Sequence, residues 1–171
     1  MTTDGELTTY SAKGDINEPL GITSGPDGAL WFTNNYGPGV GRITTDGTVT
    51  GYRPRGTAGY GITTGSDGAL WVATRVGAIQ RTKTTGRSKL FPLGPGIGAN
   101  FIAPGSDGAL WFTEGASGAL NGAIGRISPS SKAITTYTTP GLGEPAQITA
   151  GPDASLWFTS PSTDLIGRIT S

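Results

Sequence analysis

Histidine and cysteine are both absent from this 171-residue chain. The usual general base near neutral pH, the commonest metal ligand and all thiolate chemistry are therefore excluded at the outset. The side chains still able to do chemistry are of two kinds. The first kind recurs. Asp27, Asp67, Asp107 and Asp153 each sit in a Gly-[Pro/Ser]-Asp turn, and Arg42, Arg81, Arg126 and Arg168 recur at one position each. A lone Asp per turn falls short of the several oxygens a Ca²⁺ ion takes, so these are expected to be turn formers. The four Arg could bind an anion as a ring. One Arg per repeat is better explained as a packing device, stacked on a Trp or tying down a turn carbonyl. The second kind does not recur: Tyr60, Arg75, Asn100, Glu114, and the Asn34-Asn35-Tyr36 segment. Their mixed donors and acceptors suit a small polar ligand or a peptide. No phosphate loop, zinc pattern or nucleophile elbow is present.

The elements that must position these residues are set by a repeat. Leu-Trp-[Phe/Val]-[Thr/Ala] occurs around Trp31, Trp71, Trp111 and Trp157, which are 40, 40 and 46 residues apart and are all the Trp in the chain. A fixed period in this range marks one supersecondary unit copied several times. In the first copy, Leu20–Thr23 predicts a strand and Gly25-Pro26-Asp27-Gly28 a tight turn. Ala29–Thr33 is a second strand, Val40–Thr44 a third and Thr48–Tyr52 a fourth, with Asp46-Gly47 as the hairpin signal between the last two. One repeat is thus a four-stranded antiparallel meander. The copies are expected at about 19–53, 59–92, 99–138 and 145–171. The last stops at Thr170-Ser171 without a fourth strand, while Thr2–Tyr10 matches Thr44–Tyr52 and has no first three.

Radially arranged four-stranded sheets are β-propeller blades. The expected fold is accordingly an all-β propeller of four four-stranded antiparallel blades in one domain, its ring closed by residues 1–10 completing the C-terminal blade. Both faces of such blades are buried, which gives the four Trp a core role. A closed ring predicts a monomer; complementary ends also permit a strand-swapped dimer.

The composite Pro-x-Gly-Ile-Thr-x-Gly-Pro-Asp-Gly-Ala-Leu-Trp-Phe-Thr, followed by Gly-Arg-Ile-Thr-Thr-Asp-Gly, is clearest in residues 19–47 and runs through almost the whole chain. It resembles the repeat of the virginiamycin B lyase (streptogramin lyase) family. The resemblance implies a β-propeller, usually of seven blades. It also implies a Mg²⁺-assisted lyase that opens a cyclic depsipeptide antibiotic at its ester bond, with His and Glu side chains at the centre of one face. The family often carries His directly before the Gly-Ile of the first strand, and the matching positions here hold Leu20, Tyr60, Asn100 and Ala146. Glu114 follows Trp111-Phe112-Thr113 where the family often has Glu. It is the one carboxylate carried over, able to hold a metal or to act as a base if its pKa were raised.

A site is expected where the innermost strands and the loops leaving the Trp strands converge on one ring face. The candidates there are Tyr60, Arg75, Asn100, Glu114 and Asn34. With no His, the expected function is a non-catalytic binding or scaffold module that needs no cofactor. Two alternatives stand beside it: a Mg²⁺-dependent lyase using Glu114, and a partial propeller that self-associates into a larger ring. Twelve basic and twelve acidic residues leave no net charge, which gives no bulk attraction to nucleic acid or an anionic membrane. No apolar run reaches the length of a membrane span, and Met1–Gly5 lacks the apolar core of a signal peptide. No segment of the chain assigns a compartment.

Overall fold

The computed structural model describes residues 5–37, 39–53, 59–116 and 122–171. Among these residues, fifteen strands form four antiparallel sheets. The first sheet holds β1 (Pro19–Ser24), β2 (Leu30–Asn34), β3 (Val40–Ile43) and β4 (Val49–Tyr52). The second holds β5 (Gly59–Thr64), β6 (Leu70–Thr74), β7 (Ala78–Thr82) and β8 (Ser88–Pro92). The third holds β9 (Ile97–Pro104), β10 (Leu110–Ala116), β11 (Ala123–Ile127) and β12 (Ile134–Tyr137). The fourth holds β13 (Ile148–Ala150), β14 (Leu156–Ser160) and β15 (Leu165–Ile169), with a short 3₁₀ turn at Pro161–Thr163 before β15. Within each sheet the strands follow sequence order. The blades meet along their first strands, β1 on β5, β5 on β9 and β9 on β13. Each sheet is the meander the repeat predicts, and the fold is an all-β propeller array. Among the described residues no helix is long and apolar enough to cross a membrane.

Each blade is held by one small polar unit. The carboxylate of the turn Asp accepts a hydrogen bond from the Trp indole N–H four residues on, at 2.9 Å for Asp27–Trp31 and Asp67–Trp71. Its other oxygen accepts from the Arg Nε on the third strand, at 2.7 Å for Arg42 and 2.6 Å for Arg81. Asp107 with Trp111 and Arg126, and Asp153 with Trp157 and Arg168, repeat the arrangement. The Arg were expected to stack on Trp or to tie down a turn carbonyl. They bind the turn carboxylate, and in three blades the guanidinium also lies about 6 Å from the Trp ring, at 6.0, 5.7 and 5.9 Å. The Asp are turn formers as expected, and they also accept bonds from both flanking strands.

Strand alternation gives each blade two different faces. Trp31 and Val40 pack on Ile62, Leu70 and Val72 of the second blade. Trp71, Ile79 and Phe91 pack on Ile102, Leu110 and Phe112 of the third, and Trp111 and Ile124 on Ile148, Leu156 and Phe158 of the fourth. The Trp face of each blade therefore meets the aliphatic face of the next. The fourth strand adds an aromatic ring over the Trp of its own blade: Tyr52 on Trp31 at 5.2 Å, Phe91 on Trp71 at 5.6 Å and Tyr137 on Trp111 at 5.5 Å. On the opposite face Phe32, Phe112 and Phe158 lie across Gly41, Gly125 and Gly167, where a Cβ would strike the ring. The second blade fills the same space with the pair Val72 and Gln80.

The expected closure by residues 1–10 is not shown by hydrogen bonds, and residues 1–4 of that segment lie outside the described residues. Among the described residues the fourth sheet has three strands, and residues 5–12 belong to none. Tyr10 instead packs its ring on Gly47 in the β3–β4 turn of the first blade. The step from blade to blade is fixed by the Trp-on-aliphatic contacts, of which the four blades make three. The end faces are accordingly bare, with Ile22 63% and Ile166 75% exposed.

Two predictions follow from the polar unit and its turn. The carboxyls of Asp27, Asp67 and Asp107 are held below the ordinary value of 3.8: burial pulls them up, and the Trp and Arg hydrogen bonds outweigh it. Asp153, bonded to Trp157 and then Arg168, falls to about 2. A depressed folded value stabilises the fold above the free value, and that stabilisation is lost as pH falls through the folded value. Urea midpoints should therefore fall steeply between about pH 4 and 2; a flat profile from pH 4 to 2 would contradict the unit. In the fourth turn Ala154 takes φ 63°, where the other copies have Gly28, Gly68 and Gly108. Ala154→Gly should raise stability by about 1 kcal/mol, since the left-handed region costs a Cβ-bearing residue about that much.

Candidate functional site

The β6–β7 loop, the connection from the second blade to the third, and the start of β9 border an open pocket of about 450 Å³. Its wall carries Arg75, Asn100 and Glu144 among a backbone-rich lining that includes Gly94–Gly98 and Gly115. Arg75 is set by its neighbours: its guanidinium carbon lies 4.8 Å from the centre of the Tyr60 ring. Tyr60 in turn stacks on Phe101, with centroids 6.4 Å apart. This sets a planar five-donor cation at the pocket, whose lining also includes the Glu144 carboxylate. The arrangement suits a ligand that offers acceptors to one side and donors to the other.

Of the sequence candidates, Arg75 and Asn100 line the cavity and Tyr60 lies against Arg75. Asn34 and Glu114 are placed elsewhere. They occupy one structural slot, the residue directly after Leu-Trp-x-x, filled by Asn34, Thr74, Glu114 and Ser160. All four are buried. Asn34 accepts from the backbone N–H of Asn17 and donates to the carbonyl of Asp15, both at 2.9 Å. Thr74 donates to the carbonyl of Ala78, and Ser160 to that of Leu142. Glu114 accepts from the Thr136 hydroxyl at 3.3 Å. Its carboxyl lies beside Gly125 inside the blade, on the same strand face as Phe112, while the neighbouring Gly115 reaches the cavity. Burial raises the Glu114 pKa, and the Thr136 hydrogen bond opposes that only in part.

Glu144 and the Gly94–Gly98 connection were not singled out from the sequence. The available signal was positional. Leu-Gly-Pro-Gly-Ile-Gly (93–98) and Gly-Glu-Pro (143–145) are the links into first strands, and links of that kind gather on one face of a propeller.

The structural relationships agree with the repeat. A family model described as the virginiamycin B lyase family matches residues 53–171. The chain belongs to the virginiamycin B lyase family. Virginiamycin B lyase from Staphylococcus aureus superimposes on all of it at 36% identity with a TM-score of 0.88. A catalytically inactive His-to-Ala variant of that enzyme, solved with quinupristin, matches equally at 36% and 0.87. A streptogramin B lyase structure matches 98% of the chain at 29% identity with a TM-score of 0.65. The chain spans 58% of the S. aureus lyase chain and 70% of the streptogramin B lyase chain.

The Mg²⁺ that this family implies does not fit the residues here. The pocket lining offers one carboxylate, Glu144, together with the Arg75 cation. Glu114 is engaged within its blade by Thr136. Among the described residues no three acidic, His or Cys side chains converge.

Glu114 has a raised folded pKa, so its ionised form destabilises the fold once pH passes the ordinary value of 4.5. Glu114→Gln should therefore be more stable than the parent at pH 7, the difference vanishing below about pH 4. Equilibrium urea unfolding at the two pH values measures this. A variant less stable at pH 7 would show that the carboxylate has partners beyond Thr136.

Proposed function

We propose that this chain is a non-catalytic binding module built on the lyase-family propeller, holding a small polar ligand or a peptide against Arg75, Asn100 and Glu144. The observation that carries this is the complete absence of His from the chain. Opening an ester near neutral pH calls for a positioned base with a suitable pKa, and the four first-strand positions hold Leu20, Tyr60, Asn100 and Ala146. The cavity keeps what recognition needs: a fixed guanidinium, an amide, a carboxylate and exposed backbone. The S. aureus enzyme variant solved with quinupristin makes a cyclic depsipeptide of that type, and the short peptides within it, the first ligands to try.

A second reading, a Mg²⁺-dependent lyase of cyclic depsipeptides, is favoured by the 36% identity to the S. aureus enzyme along the whole chain. One experiment separates the two. Quinupristin, its ring-opened form and a set of short peptides are titrated into the protein by calorimetry. The same mixtures, with and without Mg²⁺, are followed by mass spectrometry. Binding with no ring-opened product is expected. Arg75→Ala should weaken binding about tenfold, the effect of losing a charge-assisted hydrogen bond worth about 1.4 kcal/mol. Ring-opened product in either condition would establish the lyase. Binding unchanged in Arg75→Ala would move the ligand away from this cavity.

A further inference from the structure

The charge of the chain is balanced overall but uneven along it. Between Asp46 and Asp107 the sequence holds seven basic residues and one acid, Asp67. Asp67 is taken by Arg81 and Lys132. Two of the other cations, Arg53 just after β4 and Arg87 in the β7–β8 turn, border an open pocket of about 550 Å³ between the outer strands of the first two blades. Among the described residues neither has an ion pair. Thr85 and Ser88 bring hydroxyls to the same lining, and Tyr52 and Leu90 bring apolar surface, Leu90 being 38% exposed. The matching turn of the first blade is built with the same backbone bonds, Thr44 N–H to the Thr48 carbonyl where the second has Lys83 N–H to the Arg87 carbonyl. It carries an acid instead. Asp46 stands where Thr85 stands, bonded to the Thr44 hydroxyl and the Thr48 N–H, and neutral Thr48 stands where Arg87 stands.

A polar row leads from this pocket into the second blade. Gln80 fills the position that Gly41, Gly125 and Gly167 hold beneath a Phe ring in the other blades. It is fully buried, and its amide N–H donates to the Thr82 hydroxyl at 2.7 Å. The Thr82 and Ser88 hydroxyls are 3.0 Å apart. Thr82 is fully buried as well, and its oxygen already accepts from Gln80. Its own proton therefore goes to Ser88. The Ser88 proton is left for the pocket, with the Gly86 carbonyl at 3.4 Å as its other acceptor among the described residues. The row thus presents Ser88 as a donor. At the far end Gln80 Oε1 is buried with no partner among the described residues. A Phe and Gly pair would leave no such orphan. The polar row occurs in the blade whose outer turn carries Arg87.

We infer that this seam between the first two blades is a binding site for a small organic phosphate monoester. Such a group carries about two negative charges at neutral pH and three acceptor oxygens. Two guanidinium groups match the charge, and their planar forks suit the oxygens. The hydroxyls of Thr85 and Ser88 serve the oxygens that the guanidinium groups leave. Tyr52 and Leu90 lie beside the organic body. A carboxylate would leave one guanidinium unmatched, and inorganic phosphate would leave the apolar surface wet. The site shares no residue with the pocket at Arg75, Asn100 and Glu144.

The test titrates phenyl phosphate into the whole chain by calorimetry at about pH 7.5, above the second phosphate pKa of about 6. Saturable binding is expected, with benzoate and inorganic phosphate each weaker by about tenfold or more. Arg53→Ala and Arg87→Ala, both at exposed positions, should each weaken phenyl phosphate about tenfold, the loss of one charge-assisted hydrogen bond. Lys83→Ala removes a charge from the same turn outside the pocket and should change affinity by less than about twofold, since an exposed distant charge is screened. Thr82→Val should weaken binding in the parent and have no further effect in Ser88→Ala, because it acts through that hydroxyl. A short phosphotyrosine peptide identifies the source: binding tighter than phenyl phosphate by about tenfold or more assigns the ester to a protein partner, and a smaller gain assigns it to a small molecule. Three results would overturn the inference: no saturable binding up to about 10 mM phenyl phosphate, well into the weak range; affinity unchanged in both Arg variants; or an equal loss in Lys83→Ala, which would mean that the blade attracts anions without a site. Additive losses for Thr82→Val and Ser88→Ala would remove the polar row from the site.

Discussion

The Asp–Trp–Arg unit is the interaction on which the rest of the blade depends. One carboxylate in a four-residue turn joins the second strand through an indole N–H and the third through a guanidinium. The turn, the pairing of β2 with β3 and the orientation of the Trp ring are thus fixed by one side chain. The turn glycine beneath the indole is part of the same constraint: at Gly25, Gly65, Gly105 and Gly151 a Cβ would strike the Trp ring or the Asp carboxylate. Each unit is partly exposed, so its charges are screened and its value lies in geometry more than in Coulomb energy. Hydrogen bonds to a charged acceptor keep their directionality under screening. This is why the unit recurs unchanged in blades whose other residues differ.

Fixing the Trp ring fixes the asymmetry of the blade, and the asymmetry fixes the assembly. A flat aromatic surface on one side and Leu, Ile and Phe on the other can stack only in one direction. The first strands come closest, and there the backbone itself is the packing surface: a Cβ on Gly61 would lie 2.8 Å from the Cα of Phe101. Directional stacking has no internal stop. It leaves one aromatic and one aliphatic face uncovered unless the ring closes, and here both are bare at the ends.

What the sequence disclosed and what it hid follow from this distinction between local and cumulative geometry. The meanders, their turns and the core role of Trp31, Trp71 and Trp111 were legible because each rests on chemistry within about twenty residues. Closure was not legible. It depends on a small rotation per blade summed over the array, and no single residue encodes that sum. Of the Thr2–Tyr10 segment that matches Thr44–Tyr52, Tyr10 rests on Gly47 of the first blade. Arg75, Asn100 and Tyr60, at loop and first-strand positions, come together at one pocket. Glu114 and Asn34 were assigned to the same site by proximity alone. Strand parity argues otherwise: Glu114 is two residues from Phe112, so it shares the blade-packing face of that ring.

The slot that follows Leu-Trp-x-x shows how the repeat and its exceptions are joined. Asn34 binds the segment at residues 15–17 that leads into the first blade, and Ser160 binds Leu142 in the link into the fourth. Thr74 closes its own hairpin and Glu114 reaches across its own blade to Thr136. Asn34, Thr74 and Ser160 satisfy backbone groups from this buried position, as buried backbone polar groups require, whereas Glu114 is bonded by a side-chain hydroxyl. Each filler differs because the links differ. Variation at this slot is therefore a scaffold property, and a carboxylate appearing in it does not by itself signal catalysis. The cavity wall is drawn from other positions, on the links and loop tips, which are free to vary without disturbing the Asp–Trp–Arg units. A chain of this family can accordingly keep its blades intact while the residues of that face vary.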